Sequence, residues 1–441
     1  MKNVLKKFEE KLTPIMMKFS SNRYLNVLKN GMVLSIPILI VGSIILVLAE
    51  LPIQAYQDFM LNSFGENWKW FSGAAVTASM GIAAIIANIG VAANLAKSKG
   101  GDSLSAITLS LASFFILLVQ LDEGGFKVDD FGAKGLFSAL IIAVISTEIY
   151  CFIIKKNWTI KMPEGVPPAI AKSFAALIPA AVIMPVFLGV RFIFAMTPYG
   201  SANNFILNVL QQPLTGIAAT YGGIMVSVFS SHLLWFFGIH GGSIVGAVTR
   251  PMYMAASLEN LEAFQAGQTL PHIVTQDFSD MFQGAGGVGA TLALSIMMIF
   301  LCKSQQMRTF GKLTVIPGVF GINEPMVYGL PLVLNPVIAI PFFLAPLLNV
   351  TIAYIFMSTG LSNAVTGITI PWTTPPILSG ILSTNDFMGG VIQAIGLLIS
   401  ALLYYPFMKI LDNKYLAEEE RTEFEKQKIV DVEEEITPMI E

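Results

Sequence analysis

Charge-free apolar runs separated by short polar loops dominate the chain. Residues 30–49, 70–96, 103–121, 135–154 and 174–196 each approach the roughly twenty residues that one helix needs to cross a bilayer. The pattern predicts five membrane spans in the first half. Ahead of them Leu5, Phe8, Leu12, Ile15 and Phe19 recur at helical spacing with lysines between them. That predicts an amphipathic helix on the membrane surface, kinked at Pro14.

The loops alternate in sign. Lys2, Lys6, Lys7, Lys11, Lys18, Arg23 and Lys29 precede the first run, and Glu50, Asp58 and Glu66 outweigh Lys69 in the next loop. Lys97 and Lys99 follow, then Asp122, Glu123, Asp129 and Asp130, then Lys155, Lys156, Lys161 and Lys172. Basic loops stay inside, so the N-terminus is expected in the cytoplasm and the fifth span ends outside.

The second half reads differently. Phe192 to Thr249 carries no formal charge, and Leu313 to Asn385 carries only Glu324. Both stretches are rich in Gly, Pro, Asn and Thr. Such residues break helices, and the freed backbone groups cannot face lipid, so re-entrant or discontinuous helices lining a polar cavity are expected. The run 284–302 is followed by Lys303, Arg308 and Lys312, and the last span, 388–408, by Lys409 and Lys414; both ends are assigned to the inside. The path through 239–283 does not follow from these marks. The acidic tail from Ala417 is expected to be a solvated, mobile end.

Composition agrees: 54% of the 441 residues are hydrophobic and 12% charged, about half the charge of a soluble domain. A net charge of -3 gives no footing for nucleic acid. Cys151 and Cys302 lie beside lysines at the ends of apolar runs and are expected to be free thiols on the reducing side. No signal peptide is expected, because the first stretch is too charged for an apolar core. There is no Walker lysine motif, HExxH or paired-cysteine spacing, so neither ATP hydrolysis, a metal nor another cofactor is expected. Ser231 beside His232 lacks the GxSxG elbow of a hydrolase.

The residues that could carry chemistry are few. Glu324 is expensive in hydrocarbon unless paired, hydrated or neutral, and Gly321, Asn323 and Pro325 around it imply broken backbone; it reads as a ligand contact or as a cap on that break. His240 in FGIHGG is flanked by glycines that let a ligand approach, although a core histidine bonded to a carbonyl is the alternative. His232, on an apolar helix, fits that alternative better, and His272 sits in a polar loop. Trp372 in IPWTTPP could stack on a sugar ring or anchor a helix at the headgroups. Asp277 and Asp280 precede GAGGVGATL, and either could cap the following helix; Asp280 could instead reach a sugar hydroxyl.

FGIHGG, DFSDMFQGAGGVGATL and above all GINEPMVYGLPLVLNP resemble the membrane-embedded IIC component of the bacterial phosphoenolpyruvate-dependent sugar phosphotransferase system, most closely its lactose, cellobiose and diacetylchitobiose family. The resemblance implies an all-α polytopic membrane protein, a homodimer with about ten transmembrane helices per chain and re-entrant hairpins in the C-terminal half. Its parts would be an amphipathic N-terminal surface helix (1–25), an N-terminal membrane half forming the dimer interface (26–200), a C-terminal sugar-transport half (201–412) and a cytoplasmic acidic tail (413–441). His240 and Glu324 would grip the disaccharide hydroxyl that becomes phosphorylated, with Asn323, Trp372 and Asp280 as further contacts. The phosphate would come from a phosphocysteine on a separate cytoplasmic IIB subunit, itself charged by IIA; no IIA or IIB domain is expected within this chain. Phosphotransferase activity would therefore need that partner. A proton-coupled sugar symporter using Glu324 and His240 is the alternative reading.

Overall fold

In a computed structural model of the chain, residues 22–49, 54–118, 125–160, 162–163, 165–330, 332, 335 and 337–436 are described. The expected surface helix lies mostly outside them. Every extended regular element among the described residues is helical. Among the described residues six stretches are long and apolar enough to cross a membrane by length and composition. The number rises to seven if Ala202–Ala218 and Tyr221–Phe236, bent 72° apart, form one span.

In the first half the helices largely follow the apolar runs: Ser103–Leu117, Leu136–Lys155 and Leu177–Ala195. Two runs are interrupted. The first divides into Arg23–Val33 and Ile36–Ala49, where Pro37 lacks the N–H that would continue the ladder. The second divides into Trp70–Thr77 and Ala83–Ser98, and at the break the Ser79 hydroxyl donates to the Ala75 carbonyl. Polar side chains bind the bundle from within. Asn88 donates to the Ala139 carbonyl at 3.0 Å and accepts from the Ser110 hydroxyl at 2.8 Å. Arg191, inside an apolar helix, donates to the carbonyls of Ile116 and Leu118 at the end of Ser103–Leu117, meeting acceptors that lipid could not satisfy.

The second half is built of long helices joined by broken backbone. Gly241–Gln265, Ala339–Ser358 and Phe387–Ile436 surround the short helices Gln276–Phe282, Leu292–Leu301, Glu324–Gly329 and Leu378–Thr384. A buried cluster of Tyr253, Phe278, Phe282, Val350 and Ile392 joins them to Val91 and Leu95 of the first half. A second cluster around Leu294, Met298, Phe342 and Tyr404 underlies the glycine-rich loop. Both cysteines are buried free thiols.

The acidic tail departs from its expected form. The last helix runs unbroken through residue 413 to Ile436. Its Asp412 accepts from the N–H groups of Lys303 and Ser304, and its Glu419 from those of Gln305 and Gln306. These donors open the helix Gln305–Val319, where no carbonyl of the helix can reach them and negative charge is favoured. The acidity therefore caps a distant helix as well as meeting water. The partners are more than a hundred residues apart, so spacing could not announce it.

Candidate sugar site

A cavity of about 290 Å3 with both polar and apolar walls lies in the second half, lined by His240, Asp280, the loop Gly284–Val288, Gly321, Trp372 and Gln393 among others. That is close to the smallest size typical of ligand sites. It forms where four broken segments meet.

The first segment is the turn between Tyr221–Phe236 and Gly241–Gln265. Its backbone must approach so closely that a Cβ on Gly241 would stand 1.9 Å from the Ser231 carbonyl oxygen. His240 caps the second helix: its Nδ1 accepts the Ser243 N–H at 3.1 Å. A nitrogen that accepts carries no proton, so the hydrogen-bond network assigns the ring hydrogen to Nε2. His240 is exposed and lines the cavity, with Trp235 against its ring at 4.4 Å between centroids. His232 is the opposite case. It is 3% exposed, its Nδ1 lies 2.7 Å from the Val228 carbonyl and its Nε2 accepts the Gly289 N–H at 3.0 Å. Both nitrogens are occupied, and the ring pins the glycine loop in place.

The second segment carries the two aspartates, and the structure separates them. Asp277 is buried and accepts from the Ser257 hydroxyl at 2.7 Å. Asp280 accepts from Gln276 Nε2 at 2.9 Å and remains open to the cavity. Neither caps the helix after the glycine loop, Leu292–Leu301, whose N-cap is Thr291; both lie within Gln276–Phe282, which Thr275 caps. The polar-loop histidine, His272, pairs with Glu259 away from the cavity.

The glycine loop and the NEP turn form the floor. Gly287 has φ +82, and a Cβ there would lie 2.7 Å from the Gly321 carbonyl oxygen and 2.6 Å from Asn323 Oδ1. Asn323, 5% exposed, donates from Nδ2 to the Val288 carbonyl at 2.6 Å and to the Thr291 hydroxyl at 2.9 Å. Both its amide hydrogens serve the floor, and it stands beneath the lining. Glu324 follows as the first residue of Glu324–Gly329; its side chain lies outside the described residues. Trp372 is 56% exposed and lines the cavity beside Gly321.

Gln393 carries the fourth segment and was not singled out from sequence. Its Oε1 accepts the N–H groups of Ile377 (2.6 Å) and Gly380 (2.9 Å), and its Nε2 donates to the Met281 carbonyl (2.8 Å). Ile377 has φ +74, a strained value for a β-branched residue that the surroundings must enforce. A lone amide in the apolar run 388–408 was the available signal.

Residues 29–346 match the family described as Phosphotransferase system, EIIC. This chain is an EIIC family member. The lichenan permease IIC component of Bacillus subtilis (strain 168) is 42% identical, with 93% of this chain and 94% of that one covered. The cellobiose-specific EIIC component of Geobacillus stearothermophilus is 39% identical over 95% and 97%. Among solved structures, the crystal structure of the transporter ChbC, the IIC component of the N,N'-diacetylchitobiose-specific phosphotransferase system, superposes with a TM-score of 0.90. It is 38% identical and is covered at 99%, against 93% of this EIIC chain. The resemblance drawn from the IHG and NEP segments holds over nearly the whole length, and the chain is a multi-pass membrane permease of the sugar phosphotransferase system.

Proposed function

We propose that this EIIC chain binds a disaccharide of the cellobiose, diacetylchitobiose and lactose class and carries it inward, coupled to phosphorylation by a phosphorylated IIB subunit. The observation that carries this is His240, which lines the cavity with its Nδ1 fixed by the backbone and with no hydrogen bond to Nε2 among the described residues. The substrates in the names of the relatives above support the sugar class. The working form is a homodimer of about ten spans per chain with re-entrant hairpins, an N-terminal half that dimerises, a C-terminal half that moves the sugar, and both termini cytoplasmic.

Within the site His240 donates from Nε2–H to the oxygen of the reacting hydroxyl. That ring cannot also take the hydroxyl's proton from there, so the acceptor is the carboxylate of Glu324. The hydroxyl oxygen attacks the phosphorus of the IIB phosphocysteine, the S–P bond breaks, the cysteine leaves as thiolate and the proton passes to Glu324. Asp280 accepts from a second hydroxyl. Trp372 offers its indole face to a ring, and Asn323 keeps the floor in shape. Phosphorylation makes uptake one-way because the product carries a charge that cannot return through the hydrocarbon.

Trp372→Ala is expected to weaken cellobiose binding by about 1–3 kcal/mol, the range for an aromatic contact with its buried area; calorimetry on the purified protein would read it, and an unchanged affinity returns Trp372 to a headgroup anchor. The coupling is tested in proteoliposomes. The chain alone should bind cellobiose and leave it unmodified, and phosphorylated IIB should yield sugar phosphate. Accumulation driven by a proton gradient without IIB would instead support a symporter.

A further inference from the structure

A second cavity, of about 360 Å3, adjoins the sugar cavity and shares Ser231, His240, Gly242, Asp280 and Gln283 with it. The two differ in charge. The lining described for the sugar cavity contains no lysine or arginine, whereas the second cavity holds Lys29 and Arg250. Both are half-buried, and neither makes a hydrogen bond or an ion pair within 4 Å among the described residues. Arg250 acts on Asp280 through space from beyond that distance. The same cavity is lined by Tyr253, 1% exposed, whose hydroxyl has Ser227 nearby but makes no hydrogen bond of ordinary geometry.

Two half-buried cations that make no ion pair within 4 Å among the described residues, against the single carboxylate of Asp280 in the same lining, make this cavity attractive to an anion. The ligand must be anionic, rich in acceptor oxygens and placed next to His240. A phosphate monoester meets all three conditions: its oxygens suit the fork of a guanidinium and an ammonium point charge. Lys29 is also the last cation before the first apolar run, on the side that loop charge assigns to the cytoplasm, from which a phosphoryl donor arrives.

We propose that this second cavity is the phosphate compartment of the site, holding the phosphate monoester formed on the disaccharide while the sugar rings occupy the first cavity. The inference rests on the group-translocation reading. Lys29 comes from the first-half helix Arg23–Val33 and Arg250 from the second-half helix Gly241–Gln265, so the compartment is complete only when the two halves stand as they do here.

The test is binding of cellobiose and of cellobiose monophosphate to the purified full chain in nanodiscs, without IIB. Lys29→Gln and Arg250→Gln should each weaken the monophosphate about tenfold, as loss of a charge-assisted hydrogen bond does, and leave cellobiose affinity unchanged. Arg250→Lys should recover part of the loss, and added salt should weaken only the monophosphate. Equal loss for both ligands, or for neither, overturns the proposal. Unchanged monophosphate binding with slower transfer from phosphorylated IIB overturns it too, since the cations would then serve the donor and not the product. A wild-type chain that binds no cellobiose would instead sink the sugar-carrier reading itself.

Discussion

Glu324→Gln is expected to leave cellobiose bound and to lower sugar phosphate formation by on the order of 10²–10⁴, the usual contribution of a positioned base. Glutamine keeps the shape and one acceptor oxygen of glutamate but cannot take up a proton. His240 cannot substitute, because it spends Nδ1 on the Ser243 N–H and presents Nε2 as a donor. The loss should therefore fall on turnover, with affinity nearly preserved. Transfer of labelled phosphate from phosphorylated IIB, alongside calorimetric binding, separates the two. Normal turnover in the variant removes Glu324 from the mechanism.

Gln393→Ala should have the largest effect on stability, about 2–5 kcal/mol, with a lower melting temperature in detergent and weaker cellobiose binding. The truncation strands the N–H groups of Ile377 and Gly380 and the carbonyl of Met281. Each buried orphan costs roughly 1–3 kcal/mol, with partial relief where water from the cavity can enter. It also releases the positive φ of Ile377, and with it the segment that carries Trp372. A variant that melts like the parent would show that the four segments meet without this amide.

The helices of the first half were legible because an apolar run has one solution in lipid, although 103–121 yields only the shorter helix Ser103–Leu117 and not a full span. Residues 135–154 become Leu136–Lys155 and 174–196 become Leu177–Ala195. The interruptions at Leu34–Ser35 and Ala78–Ile82 were less visible, since Pro37, Ser79 and Gly81 are common enough in spans that continue. In the second half the density of glycine and proline announced broken backbone but not its path. The ranking of His240 over His232 was legible from flanking glycines against flanking apolar residues. The hydrogen on Nε2 was not, because it follows from an N–H three residues away whose direction only the folded turn fixes. Asp280 and Trp372 do line the cavity, whereas Asn323 spends its amide hydrogens on Val288 and Thr291. Gln393 and Arg250 escaped notice, and Lys29 counted only as a loop charge, for one reason. Their partners or companions in a cavity lie far off in sequence, and a single amide or a cation near a span end has many ordinary explanations.

The most direct test of the account is a structure of the chain with cellobiose bound. The disaccharide should lie against the Trp372 indole, with one hydroxyl oxygen within hydrogen-bonding distance of both His240 Nε2 and the Glu324 carboxylate. Cellobiose seated elsewhere, or a Glu324 carboxylate bonded only to backbone N–H groups of its own turn, would contradict it.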